Sequence, residues 1–228
     1  MLIFISALPV FLLYLWFRLS RFPLPLHWFL LFLLAGAVSL LAALVLQRLL
    51  PGVPPGAGGI GWVFYAVFCK VALTEETGRF LVFLAFFRIS AGFPVQSGRG
   101  NPAPCAAAPW PVFRGVLTGL VAGLGFAVIE SASYGAADMG VAFIRAFTAA
   151  PLHGACGARV GASVADLRNN PLPSLLRFLS AVAIHGMYNF MILLRGVPWI
   201  LAILVAFSAL ASSILFIREG FKREAVSS

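Results

Sequence analysis

Two adjacent glutamates in a strongly apolar segment are the first residues of this sequence that could do chemistry. The segment reads GWVFYAVFCKVALTEETGRFLVFLAFF and carries Glu75 and Glu76, followed by Arg79. On a helix both acids can reach that guanidinium. Two neighbouring carboxylates in a dry site do not both ionise cheaply, so we expect one general acid and one general base. A purely structural ion pair is the alternative, and it needs only one acid.

A third glutamate and a histidine lie in the next two apolar segments. Glu130 shares a helix face with Tyr134, and a solvent-wetted position near the outer membrane end is its alternative reading. His153 follows Pro151, which loosens the local backbone hydrogen bonding, and an interhelical hydrogen bond is its alternative role. Three glycines in the same segment allow another helix to approach closely: Gly154, Gly157 and Gly161.

A histidine and an asparagine at helical spacing complete the candidate residues. His185 and Asn189 are four residues apart and share a helix face. A histidine can relay a proton or donate to an oxyanion, and an asparagine amide can do the second. Counted along their helices, Glu75, His153 and His185 lie roughly 15–18 Å from the cytoplasmic ends, whereas Glu130 lies about 24 Å in and nearer the outer face.

The elements that must position these residues are transmembrane helices. The chain is 61% hydrophobic and 10% charged, whereas about a quarter of the residues in soluble proteins are charged. Apolar stretches of about 20 residues recur, which predicts an all-α polytopic bundle in a single integral membrane domain, 1–228. The predicted helices span 2–17, 26–47, 60–87, 112–135, 141–163, 174–194 and 197–217. Scattered basic residues argue against nucleic-acid binding.

Loop charges predict the orientation of the bundle in the cell (inner) membrane. One side carries most of the arginines and lysines, and the other carries Arg48 and Arg195. The positive-inside rule places the C-terminus in the cytoplasm and the N-terminus outside. The cytoplasmic set comprises Arg18, Arg21, Arg88, Arg99, Arg114, Arg168, Arg177, Arg218, Lys222 and Arg223. It includes the long Pro- and Gly-rich loop 88–111, while a shorter loop, 51–59, lies outside.

The four polar segments together resemble the motif blocks of a known family. EETGRF (75–80), GFAVIESASY (125–134), RAFTAAPLHGACGARVG (145–161) and AIHGMYNF (183–190) are similar to those of the PrsW family. That family belongs with the CAAX-type prenyl endopeptidases in a superfamily of glutamic intramembrane proteases. The resemblance covers roughly residues 65–192.

The resemblance implies a role for each candidate residue. Glu75 and Glu76 match the paired catalytic glutamates, and Arg79 stands where similar proteins usually have lysine. Glu130 fills the FxxxE position, at which the prenyl endopeptidases carry a histidine. The family histidines and their HxxxN partner correspond to His153, His185 and Asn189. The substrate implied is a single-pass or lipid-anchored membrane protein, and an anti-sigma factor is one candidate, because some family members cleave one.

The resulting hypothesis is hydrolysis of a peptide bond by glutamate-activated water, with no metal and no other cofactor. Adjacent helical residues point about 100° apart, so one glutamate should face water and the other should pair with Arg79 or bind the substrate. A zinc hydrolase using His153, His185 and a glutamate is one alternative, although no HExxH motif is present. A proton-coupled transporter or channel with a Glu/His relay is another, and a structural assembly partner is the third.

Overall fold

The predicted helical bundle is confirmed in a computed structural model of the chain. The structure describes residues 2–19, 26–90, 112–135, 139–194 and 198–227. Within these ranges it has helices and short connections and no β-strand. Most of the predicted loop 88–111 lies outside the described residues. Its first three residues continue the preceding helix, which ends at Ser90.

Seven helices follow one another within the described ranges, and we number them α1 to α7. The third is continuous but changes its winding twice, so its three segments are given separately. The bounds are α1 Leu2–Leu19, α2 Leu26–Leu49, α3 Ile60–Phe64 with Tyr65–Leu73 and Thr74–Ser90, α4 Val112–Gly135, α5 Met139–Asp166, α6 Pro171–Leu193 and α7 Trp199–Ser227.

The predicted helix ends lie within three residues of the observed ones, except at the end of α7. There the apolar run stops near Arg218, but the helix continues to Ser227. The added residues include Glu219, Lys222 and Arg223, which are good helix formers with favourable i,i+3 and i,i+4 charge spacing. Hydropathy therefore located the end of the apolar stretch and missed the polar extension of the helix.

In the part of the chain that the structure describes, four helices are long and apolar enough to cross a membrane: Leu26–Leu49, Val112–Tyr134, Pro171–Leu193 and Trp199–Arg218. The helices α3 and α5 do not meet that criterion, and they carry the largest share of the candidate site residues. Helix α1 is apolar but short. An ionised side chain at mid-membrane costs on the order of 2.5–3.5 kcal/mol, so we expect α3 and α5 to depend on their neighbours for a place in the bilayer.

Helix α4 is the centre of the bundle. Within its apolar stretch 72% of the residues are buried, against 22–33% for the other three candidate spans. Its partner α5 crosses at backbone contact: a Cβ on Gly119 would lie 2.0 Å from the carbonyl oxygen of Gly157. Likewise a Cβ on Gly123 would lie 2.0 Å from the carbonyl oxygen of His153. The predicted close approach is thus present at Gly157 and Gly161, whereas Gly154 faces the side chains of Leu120 and Leu124. This backbone contact fixes the position of His153 along α4.

Helix α2 packs against both α3 and α4. A Cβ on Gly78 of α3 would lie 2.8 Å from the backbone nitrogen of Ala43 in α2. A Cβ on Gly36 of α2 would lie 1.9 Å from the carbonyl oxygen of Ala122 in α4. Since neither place has room for a side chain, α2 holds α3 and α4 at a fixed spacing.

The π-helical segment of α3 lies directly before the two glutamates. It packs on α6, where Phe68 occupies the space that a side chain at position 186 would need: a Cβ on Gly186 would lie 2.3 Å from the Phe68 ring. The Thr74 hydroxyl donates to the carbonyls of Lys70 and Val71, at 2.7 and 3.0 Å, where the winding returns to α-helical. Wider winding of this kind is often found at functional sites, because it changes the direction of the side chains that follow.

Candidate active site

Six of the seven candidate residues converge on one buried cluster. Helix α3 contributes three of them, and α4, α5 and α6 contribute one each. All six lie inside the bundle, and five are at most 5% exposed: Glu75, Glu76, Arg79, His153 and His185. The side chain of the sixth, Glu130, is 14% exposed. A buried charge is tolerated only when it is paired or hydrogen-bonded, so their contacts indicate how the cluster is held together.

Glu76 is the acid that pairs with Arg79. Nη1 of Arg79 donates to Oε2 of Glu76 in a short ion pair three residues apart on α3. The other carboxylate oxygen, Oε1, lies 2.8 Å from Nδ1 of His185. Because a carboxylate only accepts, His185 donates its Nδ1–H, which fixes the ring orientation and turns Nε2 toward Glu75.

His153 connects Arg79 to Glu130. Its Nδ1 lies 3.4 Å from Nη2 of Arg79, and its Nε2 lies 2.7 Å from Oε2 of Glu130. A guanidinium only donates, so Nδ1 accepts and the Nε2–H donates to the carboxylate. The two histidine rings are perpendicular, with centroids 5.1 Å apart. Both ring nitrogens of His153 are therefore engaged.

Glu75 has no cationic partner of its own among the described residues. Its Oε2 is buried without a hydrogen bond, and Nε2 of His185 lies 3.7 Å away, beyond hydrogen-bonding distance. Its Oε1 is 3.5 Å from Nε2 of Gln47, a long contact. The two adjacent glutamates therefore differ: Glu76 is fixed by a cation and a histidine, and Glu75 has a carboxylate oxygen available.

Asn189 is the candidate residue that does not join these contacts. It lies four residues beyond His185 on α6, is half-buried, and forms no side-chain hydrogen bond within the part of the chain that the structure describes. Lys70, another charged residue of α3, also lies away from the cluster. Its Nζ donates to the carbonyl of Pro51, 3.2 Å away, in the loop before α3.

Sequence reasoning missed two residues that contact the cluster. Nη2 of Arg145 lies 2.5 Å from Oε2 of Glu130, and its guanidinium covers the Tyr134 ring at 4.2 Å. The signal was an arginine in an apolar helix, eight residues before His153. The second is Gln47, the amide near Glu75, whose signal was a polar residue at the end of a long apolar run.

The fold and the site define a helical membrane protein with a buried carboxylate–histidine–arginine centre. A sequence model of the PrsW family, described as "PrsW family intramembrane metalloprotease", matches residues 24–215. The chain therefore belongs to the PrsW family, as its motifs predicted, and membership makes it an intramembrane protease. No curated protein and no solved structure matches the chain.

The family description names a metal, and three residues of the cluster provide a suitable donor set. Ligand atoms of Glu75, His153 and His185 all lie within 4.8 Å of one another. Two histidines and a carboxylate are a known catalytic zinc set, and each histidine also faces a carboxylate, as metal-binding histidines commonly do. The free Oε2 of Glu75 fits such a role. His153 fits it less readily, because both of its nitrogens already have partners.

Proposed function

We propose that this protease hydrolyses a peptide bond with water activated by a glutamate, and that Glu75 is the general base. The observation that carries the proposal is the unequal pairing of the three acids. Glu76 faces Arg79 and His185, and Glu130 faces Arg145 and His153. Oε2 of Glu75, by contrast, has no hydrogen-bond partner among the described residues. A base must have a free electron pair within reach of the water proton, and Glu75 meets that condition.

His185 is the proposed partner of Glu75 in this reaction. A water molecule between Oε2 of Glu75 and Nε2 of His185 would contact both groups, which are 3.7 Å apart. The water oxygen attacks the carbonyl carbon as its proton passes to Glu75, and Glu75 then gives that proton to the amine nitrogen as the C–N bond breaks. In the proposed reactive state His185 carries a proton on both ring nitrogens: Nδ1–H donates to Glu76, which stabilises the positive charge, and Nε2–H donates to the developing oxyanion. Asn189 is proposed as a second donor to the oxyanion.

Arg79, His153 and Glu130 are proposed to position these groups. Arg79 holds Glu76 anionic and contacts His153, which in turn contacts Glu130. The cluster is compact in all described contacts, and a compact cluster suits hydrolysis at one point better than a proton relay across the bilayer. The proposed substrate is a single-pass or lipid-anchored membrane protein, because a buried site of this kind reaches a chain that is itself at the membrane; an anti-sigma factor is one candidate.

The Glu75→Gln variant tests the assignment of the base. Glutamine keeps the volume and removes the basic site, so we expect cleavage of a single-pass membrane substrate to fall by roughly 10²–10⁴-fold. Thermal stability should stay close to that of the wild type, because the only cationic group near Glu75 among the described residues is the His185 ring, 3.7 Å away and beyond hydrogen-bonding distance. Glu224→Gln, in the charged C-terminal segment, is the matched control. Normal turnover per folded molecule in Glu75→Gln would refute the proposal.

A metal-dependent site is the second candidate, supported by the donor set of Glu75, His153 and His185. A bound zinc would supply a Lewis acid and an activated water. The two mechanisms differ in their response to chelation. On the glutamate mechanism, purified protein should retain its cleavage activity after strong chelation and contain no stoichiometric zinc. Loss of activity that returns with added zinc, together with one zinc per chain, would establish the metal mechanism instead.

A further inference from the structure

A cavity separate from the active site opens between α5, α6 and α7. It has a volume of about 440 Å³ and is lined mostly by apolar side chains, among them Ile184, Met191, Leu204 and Val205. Leu204 is also exposed on the outer surface of the bundle, so the cavity reaches the surface that faces lipid. One charged residue, Arg159, lines it as well.

Arg159 is held in place by neutral groups alone. Its Nη1 donates toward the carbonyls of Ala155 and Ala209, at 3.0 and 3.2 Å, and toward Oγ of Ser213 at 3.2 Å. Its Nη2 donates to Oγ of Ser212 at 2.9 Å. These contacts leave the Nε–H and one Nη2–H without an acceptor in the described chain, because a guanidinium has five N–H donors.

No carboxylate among the described side chains forms an ion pair with Arg159. Asp166, an acid on the same helix, is already bound to Arg177 at 2.6 Å. Arg159 therefore brings to one wall of an apolar cavity a positive charge that no carboxylate of the described side chains compensates. An uncompensated charge of this kind in a membrane helix favours an anionic partner.

The depth of Arg159 fits a lipid headgroup better than the membrane centre. It lies seven residues before Asp166 on α5, which is roughly 10 Å from the polar end of that helix. Its guanidinium stays near this depth, because it bonds the carbonyl of Ala155 on α5 and the hydroxyls of Ser212 and Ser213 on α7. The same end of the bundle carries Arg168 and Arg177. Basic pockets between helices at such a depth suit phosphate headgroups.

We propose that this cavity binds an anionic phospholipid, with the phosphate at Arg159 and Ser212 and an acyl chain along Leu204 and Val205. The guanidinium supplies two free N–H groups to phosphate oxygens, a charge-assisted and geometrically matched contact. The apolar wall supplies a hydrophobic contact that a free phosphate ion cannot use. The site is independent of the proteolytic chemistry, since its residues are separate from the catalytic cluster.

The test is lipid binding by the purified full chain in a nonionic detergent. Phosphatidylglycerol should raise the melting temperature in a saturable way and remain bound in native mass spectrometry. Phosphatidylcholine with the same acyl chains, and inorganic phosphate, should not. Arg159→Gln should weaken phosphatidylglycerol binding by about tenfold or more, because it removes a charged hydrogen-bond donor. Val205→Trp keeps the charge and fills the cavity, and it should weaken binding as well.

Two control variants separate a site from general surface charge and from general bulk. Arg168→Gln removes an exposed arginine at the same end of the bundle, and Leu215→Trp adds bulk at an exposed position outside the cavity. Both should bind phosphatidylglycerol as the wild type does. Equal effects of the two lipids on the wild type would overturn the proposal, and so would equal losses in Arg168→Gln and Arg159→Gln. If Arg159→Gln does not fold, the proposal is tested by the difference between the two lipids on the wild type and by phosphatidylglycerol binding to Val205→Trp.

Discussion

Arg79 is the buried cation on which the charge balance of the active site depends. It pairs with Glu76, contacts His153, and lies over the Phe126 ring at 4.6 Å. The cluster has three carboxylates and two guanidinium groups, the second being that of Arg145. One carboxylate therefore lacks a cationic partner, and the geometry makes it Glu75. An unequal balance of this kind keeps one acid reactive while the others are held in place.

The substitutions Arg79→Lys and Arg79→Ala should differ in severity. Lysine keeps the charge beside Glu76 but is a single ammonium, so it contacts Glu76 and His153 less well than a planar guanidinium does. Alanine leaves Glu76 as a buried charge without its cation, which should lower stability by about 3–5 kcal/mol. We expect measurable cleavage in the lysine variant and almost none in the alanine variant.

Thermal unfolding and cleavage per folded molecule measure both effects. Arg48→Ala, at an exposed arginine at the end of α2, is the control and should change neither. Equal loss in Arg79→Lys and Arg79→Ala would mean that the charge itself is unimportant.

At the scale of elements, the contact of α4 with α5 sets the position of His153. The two helices touch along their backbones, and the carbonyl of His153 is itself one of the atoms against which Gly123 packs. Any increase in the spacing of the two helices therefore moves His153 away from Arg79 and Glu130. The glycines at this contact therefore affect the active site, because they allow the helix spacing that places His153.

Gly119→Ala tests that coupling. The added Cβ would lie 2.0 Å from the carbonyl oxygen of Gly157, so the helices must separate. We expect a loss of about 1–3 kcal/mol in stability, as for other overpacked sites, and a fall in cleavage per folded molecule. Gly61→Ala is the matched control, since a Cβ there meets nothing within 4 Å. Full activity in Gly119→Ala would show that the site tolerates a wider spacing.

At the scale of the whole molecule, the orientation in the membrane remains a prediction from charge. Arg168 and Arg177 stand at one end of the bundle and Arg48 at the other. The positive-inside rule then places the C-terminus in the cytoplasm. A reporter fused after Lys222 should report a cytoplasmic location, and one inserted in the loop 51–59 should report the outside. The reverse pattern would invert the bundle and move the loop 88–111 to the outer side.

The sequence predicted the helices and six members of the cluster because apolar length and intramembrane charge are visible in it. The position of Glu130 was less well predicted, because counting residues along the helix axis placed Glu130 nearer the outer face than His153. In an α-helix each Cα–Cβ bond leans toward the N-terminus, and α4 and α5 are antiparallel. The side chains of Glu130 and His153 consequently lean toward each other, and their nitrogen and oxygen atoms meet at 2.7 Å. Counting along the axes ignores that convergence.

Which of the two adjacent glutamates pairs with Arg79 could not be predicted from the sequence. Glu75 and Glu76 both lie within reach of Arg79 by spacing alone. The choice of Glu76 depends on His185, which arrives from a helix far along the chain. The same holds for Arg145, whose partner Glu130 lies on a neighbouring helix. Contacts between residues of one helix can be predicted from their spacing in the sequence. Contacts between residues of different helices can be identified only from the folded structure.

The partners of the charged residues in α3 have a consequence for how the protein is made. His153 follows Arg79 by 74 residues, and His185 follows Glu76 by 109. At ordinary rates of synthesis the ribosome needs roughly 4 to 20 seconds to supply them. During that interval we expect α3 to stay at the insertion machinery and not to enter the lipid bilayer, because its charged side chains have no partners there. Loss of His185 should therefore reduce the yield of inserted protein as well as its activity, because the last helix of the site also completes the entry of the first.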